Sequence, residues 1–310
     1  MSVSRPKVSV VMSVFNGETY LRAAIDSILN QTLRDFEFVI VDDGSTDSSV
    51  EIVKSYNDPR IRLRPQKNQG LAAALNNGVA VAQAEYIARM DQDDISHLGR
   101  LETEYRYLLE NPDVGLVGTW ICIIDDKGGV FAETKEPTTP REIRRRILTY
   151  NCFNHGSVMF LKSVFERAGG YGVEYPESTP VEDYGLWLRM LQICDGANIP
   201  QFLYFWRKHS TSISSIQKVD QRTQRILVSQ KYIRLMIQNL ENNRSRRKDL
   251  AQCYLGLATT YYQQRAMGEC RRHLLRAISL DPLVSFDAYR YFAFSLIGKE
   301  LRAWLRRRQG

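Results

Sequence analysis

Three aspartates stand within four positions of the stretch EYIARMDQDD, residues 85–94. Asp91 and Asp93 are two positions apart, so on an extended strand end both side chains point to the same side and can address one ligand. Clustered carboxylates suit hard cations such as Mg²⁺ or Mn²⁺, which share their coordination shell with substrate phosphates. The alternative is a solvated loop in which an aspartate caps the helix that begins near Leu98. The spacing alone leaves both interpretations open.

A second pair of acids, Asp42 and Asp43, ends the run IVDD and leads into the loop GSTD. A carboxylate that a strand delivers into such a loop can accept from a ribose hydroxyl or from a base N–H. The alternative is that Asp43 and Ser45 shape the turn, while Thr46 or Asp47 caps the next helix. A dinucleotide site would instead need a glycine-rich fingerprint after the first strand, and SVFNGETY has one glycine there.

Buried strands alternate with helical patterns around these acids. KVSVVMSVF and FEFVIVDD are near-continuous apolar runs, typical of strands covered on both faces. IRLRP is a weaker third strand, LAAALNNGVAVAQA is a helix and EYIARMD is a fourth strand. This rhythm predicts a parallel sheet wrapped by helices, in which ligands bind at the carboxyl ends of the strands. Both acidic clusters fall at those ends.

The rest of the chain divides by pattern and by charge. A hairpin turning at DKGG, a short helix EDYGLWLRMLQ and an aromatic strand FLYFWRKH follow, and from about Ile216 only helical patterns remain. The segment 216–310 has 19 Lys and Arg against 7 Asp and Glu, whereas the segment 1–215 has 23 against 28. The opposite signs predict two parts with different roles.

One segment of the C-terminal part, residues 251–284, has the spacing of a tetratricopeptide unit. The matching positions are Tyr254, Leu257, Ala258, Tyr261, Cys270, Leu274, Ala277 and Pro282. A single unit leaves apolar faces uncovered, so we expect it to pack on flanking helices or on the first part of the chain.

Composition favours a cytoplasmic protein. The five cysteines form no CxxC pair, which suits a reducing compartment and scattered buried thiols. The N-terminal run MSVSRPKVSVVMSVF lacks the layout of a signal peptide and is predicted to be the first strand. No run approaches the roughly 20 apolar residues that a membrane span requires.

Five segments, in this order and spacing, resemble the family 2 glycosyltransferases: VVMSVFNGETYLRAAIDSILNQT, FVIVDDGSTDSS, NQGLAAALNNG, EYIARMDQDD and NPDVGLVG. HGSVMFLKSVFERAGGY, VEDYGLWLRM and WRKHSTSIS extend the resemblance over residues 5–215. It implies an α/β GT-A fold, with a mixed, mainly parallel sheet flanked by helices, to which this chain adds an all-α extension. It also implies inverting, metal-dependent transfer of a sugar from a nucleotide-sugar donor to an acceptor hydroxyl.

The resemblance implies roles for residues at the matching positions of the donor site. Asp43 would accept from the base N–H beside Ser13 and Phe15, which line the nucleotide pocket, and Asp91 would face the ribose. Asp93 would bind a Mn²⁺ or Mg²⁺ ion that bridges the diphosphate. The position of His209 is often found near that metal, although a loop histidine is the alternative. The donor-sugar side would be shaped by Asn68, Gly70 and Asn76.

On the acceptor side, the resemblance makes Asp183 the general base. Without the family, an acid at a helix N-terminus would be placed there for the macrodipole. Glu182 and His155 would line the acceptor side, with a core or loop role open for the histidine. Trp187 is expected to pack the helix rather than bind sugar. The chain departs from the family at ISHLGRL, where a proline commonly precedes the Arg-Leu pair.

The resemblance favours a UDP-sugar donor and a glycan or lipid-linked acceptor, as in cell-surface polysaccharide assembly. Two other functions remain open: phosphoryl transfer of the nucleotidyltransferase type, and an inactive scaffold that binds a partner through its helices. Nucleic acid is disfavoured because no recognition motif is present. The basic C-terminal part has two further interpretations, a solvated helical surface and peripheral contact with anionic lipid at the cytoplasmic face of the membrane. The lipid contact is predicted from one tryptophan among arginines: Trp304 with Arg302, Arg306, Arg307 and Arg308.

Overall fold

The computed structural model describes residues 5–172, 181–210, 218–241 and 246–296. By their contacts, these residues form two compact units. The first contains the described residues between 1 and 144 and between 151 and 221, and the second contains those between 145 and 150 and between 222 and 310. The segment 145–150 therefore belongs to the same unit as the C-terminal helices. The sequence indicates a single boundary near residue 215 and does not predict this.

The first unit alternates strands and helices in the predicted order. Its strands are β1 (Val8–Val14), β2 (Phe36–Asp42), β3 (Ile61–Pro65), β4 (Tyr86–Met90), β5 (Ile95–Ser96), β6 (Val114–Ile124), β7 (Val130–Thr134), β8 (Met159–Leu161) and β9 (Asp195–Arg207). Its helices are α1 (Leu21–Leu29), α2 (Ser49–Lys54), α3 (Leu71–Val81), α4 (Arg100–Glu110), α5 (Pro140–Arg146), at whose end the chain enters the second unit, α6 (Lys162–Arg167) and α7 (Glu182–Met190). The hairpin at DKGG is confirmed as the β6–β7 turn.

The strands form one mixed, mainly parallel sheet, as the sequence predicts. Its order is β3-β2-β1-β4-β8-β6-β9-β5, with β7 paired to β6. The first four strands are parallel, and β8 is antiparallel to both of its neighbours. The chain moves outward from β1 to β3 and then places β4 on the other side of β1. Ligands of such sheets bind at the carboxyl ends of the strands where the order reverses, here between β1 and β4.

The core lies between this sheet and its helices. Strand β2 is buried along its whole length, which explains its near-continuous apolar run. Helix α1 buries Leu21, Ala24, Ile25 and Ile28, the stripe that its helical spacing predicts. A Cβ on Gly78 would meet Val11 Cγ1 at 2.5 Å, so a glycine is needed for α3 to lie this close to β1. Tight packing here fixes the strand ends that carry the acids.

The second unit is helical in its described residues, as predicted. Its helices are α8 (Lys218–Glu241), which begins in the first unit, α9 (Arg247–Gln263), α10 (Met267–Leu280) and α11 (Phe286–Leu296). A short turn joins α9 to α10, and the repeat positions Leu257, Ala258, Cys270, Leu274 and Ala277 are buried. Flanking helices cover this pair, since Ile233 of α8 and Ala288 of α11 belong to its apolar clusters. The assignment to the tetratricopeptide family stays a prediction.

Two compositional expectations have outcomes in the described residues. All five cysteines are free thiols, and four of them are buried. Among the residues that the structure describes, none of the helices has the length and apolar character to cross a membrane. The basic segment 300–310, with Trp304, lies outside the described residues.

Candidate active site

The three clustered aspartates have three different environments. Asp94 is buried, and its carboxylate accepts hydrogen bonds from Tyr204 Oη and from the Arg207 backbone N–H, each at 2.7 Å. Burial, with the nearby charge of Asp93, raises the pKa of Asp94 above its ordinary value. Asp94 therefore ties the end of β4 to β9 and is not available to a ligand. The alternative of a helix cap is wrong, because Gly99 occupies the N-cap of α4.

Asp91 forms an ion pair with Arg89, whose side chain is 3% exposed. Nε of Arg89 has no hydrogen-bond partner among the described residues. The Asp91 side chain is 30% exposed, so a ligand can still reach it. Sequence reasoning missed Arg89, although an arginine within the buried strand YIARM is itself a signal, because buried cations need a nearby anion.

Asp93 and His209 lie together, as the metal hypothesis requires. Nε2 of His209 is 2.8 Å from Oδ2 of Asp93, and both side chains remain partly exposed. A carboxylate oxygen and an imidazole nitrogen are suitable ligands for Mn²⁺. Within the described parts of the chain there is no group of three or more His, Cys, Asp and Glu side chains that could hold a metal. A cation at this pair would therefore complete its shell with diphosphate oxygens and water.

Arg207 fixes the backbone beside the Asp93–His209 pair. Its Nε donates to the Asp93 carbonyl at 2.9 Å and its Nη1 donates to the Asp125 carbonyl at 2.9 Å, which joins the end of β4 to the β6–β7 turn. The Tyr20 ring lies 4.7 Å from the Arg207 guanidinium carbon and 5.0 Å from the His209 ring. A cavity of roughly 330 Å³ opens beside them, lined by Asp125, Asp126, Lys208, His209 and Ser210.

Gln92 lies between Asp91 and Asp93 and forms hydrogen bonds with Phe15, the residue that follows β1. The Phe15 backbone N–H donates to Gln92 Oε1 at 2.9 Å, and Gln92 Nε2 donates to the Phe15 carbonyl at 3.1 Å. The Phe15 ring is 45% exposed. Ser13 lies level with Val41 of β2. The predicted nucleotide-pocket residues thus stand at the reversal point of the sheet, and sequence reasoning missed the glutamine that fixes Phe15.

Asp43 organises the loop that carries the predicted donor-sugar residues. Its carboxylate accepts from Gln66 Nε2 at 2.8 Å, from Gln69 N–H at 2.8 Å and from Gly70 N–H at 2.9 Å. A carboxylate offers about four lone-pair positions, so one on Oδ2 remains after these three bonds. Asn68 stands within the same loop, and Gly70 has a φ of 87°, a conformation that favours glycine.

Asn76 has a different place from Asn68 and Gly70. Its Nδ2 donates to the Tyr171 carbonyl at 2.9 Å, and its Oδ1 accepts from the Tyr171 N–H at 2.9 Å. Both ends of the amide are thus engaged with the chain itself. The structure links Asn76 to the acceptor-side residues through Tyr171, rather than to the loop under Asp43.

Glu182 and Asp183 occupy the first turn of α7, where the helix dipole favours negative charge. Asp183 Oδ2 accepts from Asn151 Nδ2 at 2.8 Å, and its Oδ1 accepts from Tyr184 N–H at 2.6 Å. Burial, with the adjacent charge of Asp183, raises the pKa of Glu182. Two neighbouring acids that resist joint ionisation form a pair able to take a proton. Asn151, which orients Asp183, was missed because it lies 32 residues away in sequence.

His155 joins these acids. Its Nδ1 is 3.9 Å from Glu182 Oε1, and its Nε2 is 3.0 Å from Tyr171 Oη. Burial, with the positive charge of Arg89, lowers the pKa of His155 well below the usual value, so the imidazole is neutral. Trp187 is completely buried against His155 and Phe153, which confirms that it packs the helix. The predicted base and both predicted acceptor-side residues therefore form one cluster.

Comparison with known proteins finds a matching family model and several relatives. Residues 9–169 match the family model described as Glycosyl transferase family 2. The Escherichia coli O-antigen biosynthesis glycosyltransferase WbnJ is 37% identical over 213 residues, which cover 66% of this chain and 81% of that protein. The Escherichia coli UDP-Gal:alpha-D-GlcNAc-diphosphoundecaprenol beta-1,3-galactosyltransferase is 32% identical over 209 residues, which cover 66% of this chain and 74% of that protein.

A solved structure shares the architecture. The mannosyltransferase PcManGT from Pyrobaculum calidifontis, in complex with GDP-Man and Mn²⁺, aligns with a TM-score of 0.56 at 17% identity. The alignment covers 97% of this chain and 84% of that one. At this identity the likeness concerns the fold alone, and it confirms the expected GT-A fold.

Proposed function

This chain belongs to glycosyl transferase family 2 and is therefore a glycosyltransferase, and from that premise we propose that it moves a sugar from a nucleoside-diphosphate donor to an acceptor hydroxyl with inversion. A UDP-sugar is the proposed donor, because one relative acts on UDP-Gal. The proposed acceptor is a glycan carried on a lipid diphosphate, which suits a relative that acts on GlcNAc-diphosphoundecaprenol and another of O-antigen biosynthesis.

The contact between Asp93 and His209 carries this proposal. The two side chains meet at the reversal point of the sheet, where a diphosphate is expected, and their oxygen and nitrogen atoms fit a divalent cation. Asp93 and His209 would hold the metal, and Arg207 fixes the backbone of Asp93. When bound, a divalent cation supplies Lewis-acid stabilisation of the leaving diphosphate. The Mn²⁺ in the mannosyltransferase structure supports this role.

The remaining donor contacts follow from the described hydrogen bonds. Asp43 is proposed to accept from a base N–H at the position that its three hydrogen bonds leave on Oδ2, and Ser13 and the exposed Phe15 are proposed to line the nucleotide pocket. Asp91 is proposed to accept from the ribose, because its carboxylate stays accessible while Arg89 holds it in place. Asn68 and Gly70 are proposed to contact the donor sugar.

Asp183 is proposed as the general base that removes the proton of the acceptor hydroxyl. Asn151 orients its carboxylate, and the repulsion between the two acids favours proton uptake by the pair. A positioned base contributes about 10² to 10⁴ in rate. Neutral His155 can exchange hydrogen bonds with the acceptor, and Asn76 acts on this side by fixing the Tyr171 backbone.

The division of labour along the chain is also proposed. Residues 1–215 would catalyse transfer. The basic helical region 216–310, with its tetratricopeptide-like unit at 251–284, would contribute binding and no catalytic residue. Contact of the segment 300–310 with anionic lipid at the cytoplasmic face would bring the enzyme to a lipid-linked acceptor. Vesicle binding by the full chain and by a chain that ends at residue 299 tests this role of the segment.

A donor screen tests the function. The full chain is incubated with UDP-, GDP- and dTDP-sugars and a GlcNAc-diphospholipid acceptor, with Mn²⁺, with Mg²⁺ or with a chelator. We expect release of a nucleoside diphosphate together with sugar transfer, and loss of both in the chelator. Release of pyrophosphate would instead support nucleotidyl transfer, and absence of turnover with every donor would support a scaffold.

A further inference from the structure

The second unit holds a cavity of roughly 720 Å³ between α8, α9 and α10. Buried Ile237 and Leu257 give it an apolar floor. Its volume lies within the range of about 300 to 1,000 Å³ that small-molecule sites have. Its charged lining consists of three arginines and one glutamate: Arg234, Arg272, Arg276 and Glu269.

The charge of this cavity is unbalanced. Arg272 Nη1 is 3.4 Å from Glu269 Oε2, so the single carboxylate has a partner. Arg234 and Arg276 have no carboxylate partner in the described portion of the chain. Burial lowers the pKa of His273, so its imidazole adds no charge at neutral pH. The guanidinium groups of Arg234 and Arg276 are therefore available to bind an anion.

A strip of stacked rings joins these two arginines. The His273 ring stacks on Tyr261 at 5.4 Å and on Tyr254 at 5.8 Å, with interplanar angles of 4° and 21°. The Arg276 guanidinium lies 5.9 Å from the Tyr254 ring, and Arg234 Nη2 donates to Tyr261 Oη. Tyr254 and Tyr261 are seven residues apart on α9, which is about 10 Å at 1.5 Å per residue. Each arginine is thus held at one end of the strip.

The uncharged side chains that line the cavity indicate which class of ligand it can bind. The His273 ring stacks on both tyrosines, so its faces are not available to a nucleobase. Gln238 and Ser279 line the cavity with neutral hydrogen-bonding groups, which suit sugar hydroxyls. Guanidinium groups match phosphate oxygens in geometry and charge.

We propose that this cavity binds a glycosyl phosphate, with the positive charges of Arg234 and Arg276 attracting the phosphate and Gln238 and Ser279 contacting the sugar. The site goes beyond the proposed transfer reaction and does not depend on it, because every lining residue belongs to the second unit. Its ligand is a phosphate ester of a sugar, whether free in solution or attached to a lipid.

Calorimetric titration of the full chain with α-glucose 1-phosphate, in chelator, tests the site. We expect binding that weakens at least tenfold in the double variant Arg234→Gln, Arg276→Gln. Arg271→Gln is the matched control, because Arg271 is an exposed arginine of α10 that does not line the cavity. Asp93→Asn should leave this binding unchanged, which separates it from the transfer centre. Equal affinity of the double variant and the native chain would overturn the proposal.

Two further probes test the sugar contacts. Inorganic phosphate should bind at least several-fold more weakly than glucose 1-phosphate, and Gln238→Ala with Ser279→Ala should remove that difference without changing phosphate affinity. Phosphate that binds as tightly as the ester would overturn the assignment to a glycosyl phosphate. Thermal melting of each variant verifies that it is folded, and the pair Gln238→Ala, Ser279→Ala supplies the test if the arginine variant is not.

The two sources of such an ester can be separated. Phosphatidylcholine vesicles that carry a polyprenyl glucosyl phosphate are sedimented with the full chain and with the double arginine variant. Retention of the native chain alone supports a lipid-linked ligand. Absence of retention, with glucose 1-phosphate binding intact, supports a soluble one.

Discussion

His209 Nε2 lies 2.8 Å from Asp93 Oδ2, although 116 residues separate the two positions in the chain. The contact follows from the sheet, because β9 ends beside the turn after β4 and Arg207, the last residue of β9, donates to the Asp93 carbonyl. A cation bound by both side chains would take the place of their hydrogen bond, because metal ligands offer lone pairs and not protons to the ion. The hydrogen bond and a bound cation therefore exclude each other at this pair.

Replacement of Asp93 by Asn should lower Mn²⁺-dependent affinity for UDP by about two orders of magnitude. The substitution removes a ligand of the metal, which stabilises the negative charge of the diphosphate by several kcal/mol. Each 1.4 kcal/mol corresponds to about a tenfold change in affinity. Calorimetry with UDP, with and without Mn²⁺, measures the change. Asp126→Asn is the control, because Asp126 lines the same cavity but contacts Tyr20 Oη at 3.4 Å. Native affinity in Asp93→Asn would remove Asp93 from the metal site.

Asp183→Asn should lower kcat by about 10² to 10⁴ while donor affinity stays within about twofold. An amide cannot accept the acceptor proton, but it keeps the size of the carboxylate and a hydrogen bond to Asn151. Steady-state transfer kinetics and UDP calorimetry separate the two effects. Asp195→Asn serves as control, since Asp195 forms a surface ion pair with Arg144 outside this cluster. A variant with native kcat would require another base.

Glu182→Gln should remove the change in kcat that the ionisation of Glu182 causes near neutral pH. In the native chain, burial and the charge of Asp183 raise the pKa of Glu182 to about 7, so Glu182 carries a proton below that pH and loses it above. A glutamine stays neutral and matches the protonated form, so the kcat of the variant should stay constant across this range. The measurement is kcat between about pH 4.5 and 9. A variant that keeps the native change near pH 7 would contradict coupling between the two acids.

The sequence predicts the strands of the first unit because its core strands are apolar on both faces, and β2 is buried at every position. It also places the acids at the correct ends of those strands. It cannot distinguish Asp94 from Asp93, because both are aspartates of one short loop. The difference comes from Tyr204 and Arg207, which reach Asp94 from more than 100 positions away.

Long-range contacts also explain the other differences from expectation. The resemblance predicts that Asn76 shapes the donor-sugar side. Both ends of its side-chain amide instead form hydrogen bonds with the backbone of Tyr171, 95 positions later. Asp43 stands at the start of the GSTD loop, yet its carboxylate accepts hydrogen bonds from the backbone of Gln69 and Gly70, 26 and 27 positions later. Its role toward a nucleotide base stays a prediction. Residue types and spacing give the chemistry that is possible at a position, and packing decides which partner is present.

The two Arg–Glu pairs of α4 offer a matched test of burial. Arg100 and Glu104 are 3.8 Å apart with both side chains completely buried, whereas Arg106 and Glu110 are 3.9 Å apart with 69% and 66% exposure. Both pairs are spaced i,i+4, so local helix geometry is the same. Arg100 also donates to the Gly156 carbonyl and to the Arg89 carbonyl, which connects it to the candidate active site.

Burial raises the pKa of Glu104 to about 8, so the pair is fully charged only above that pH. There, Glu104→Ala should lower the free energy of unfolding by about 3 to 5 kcal/mol, because it leaves the Arg100 charge buried without its partner. Glu110→Ala should lower it by less than about 1 kcal/mol, since water screens the exposed pair and solvates Arg106 once the partner is gone. Urea unfolding of both variants at one pH and ionic strength gives the comparison. Equal losses would mean that the Gly156 and Arg89 carbonyls satisfy Arg100 without Glu104. The buried carboxylate would then be dispensable for holding the end of β4.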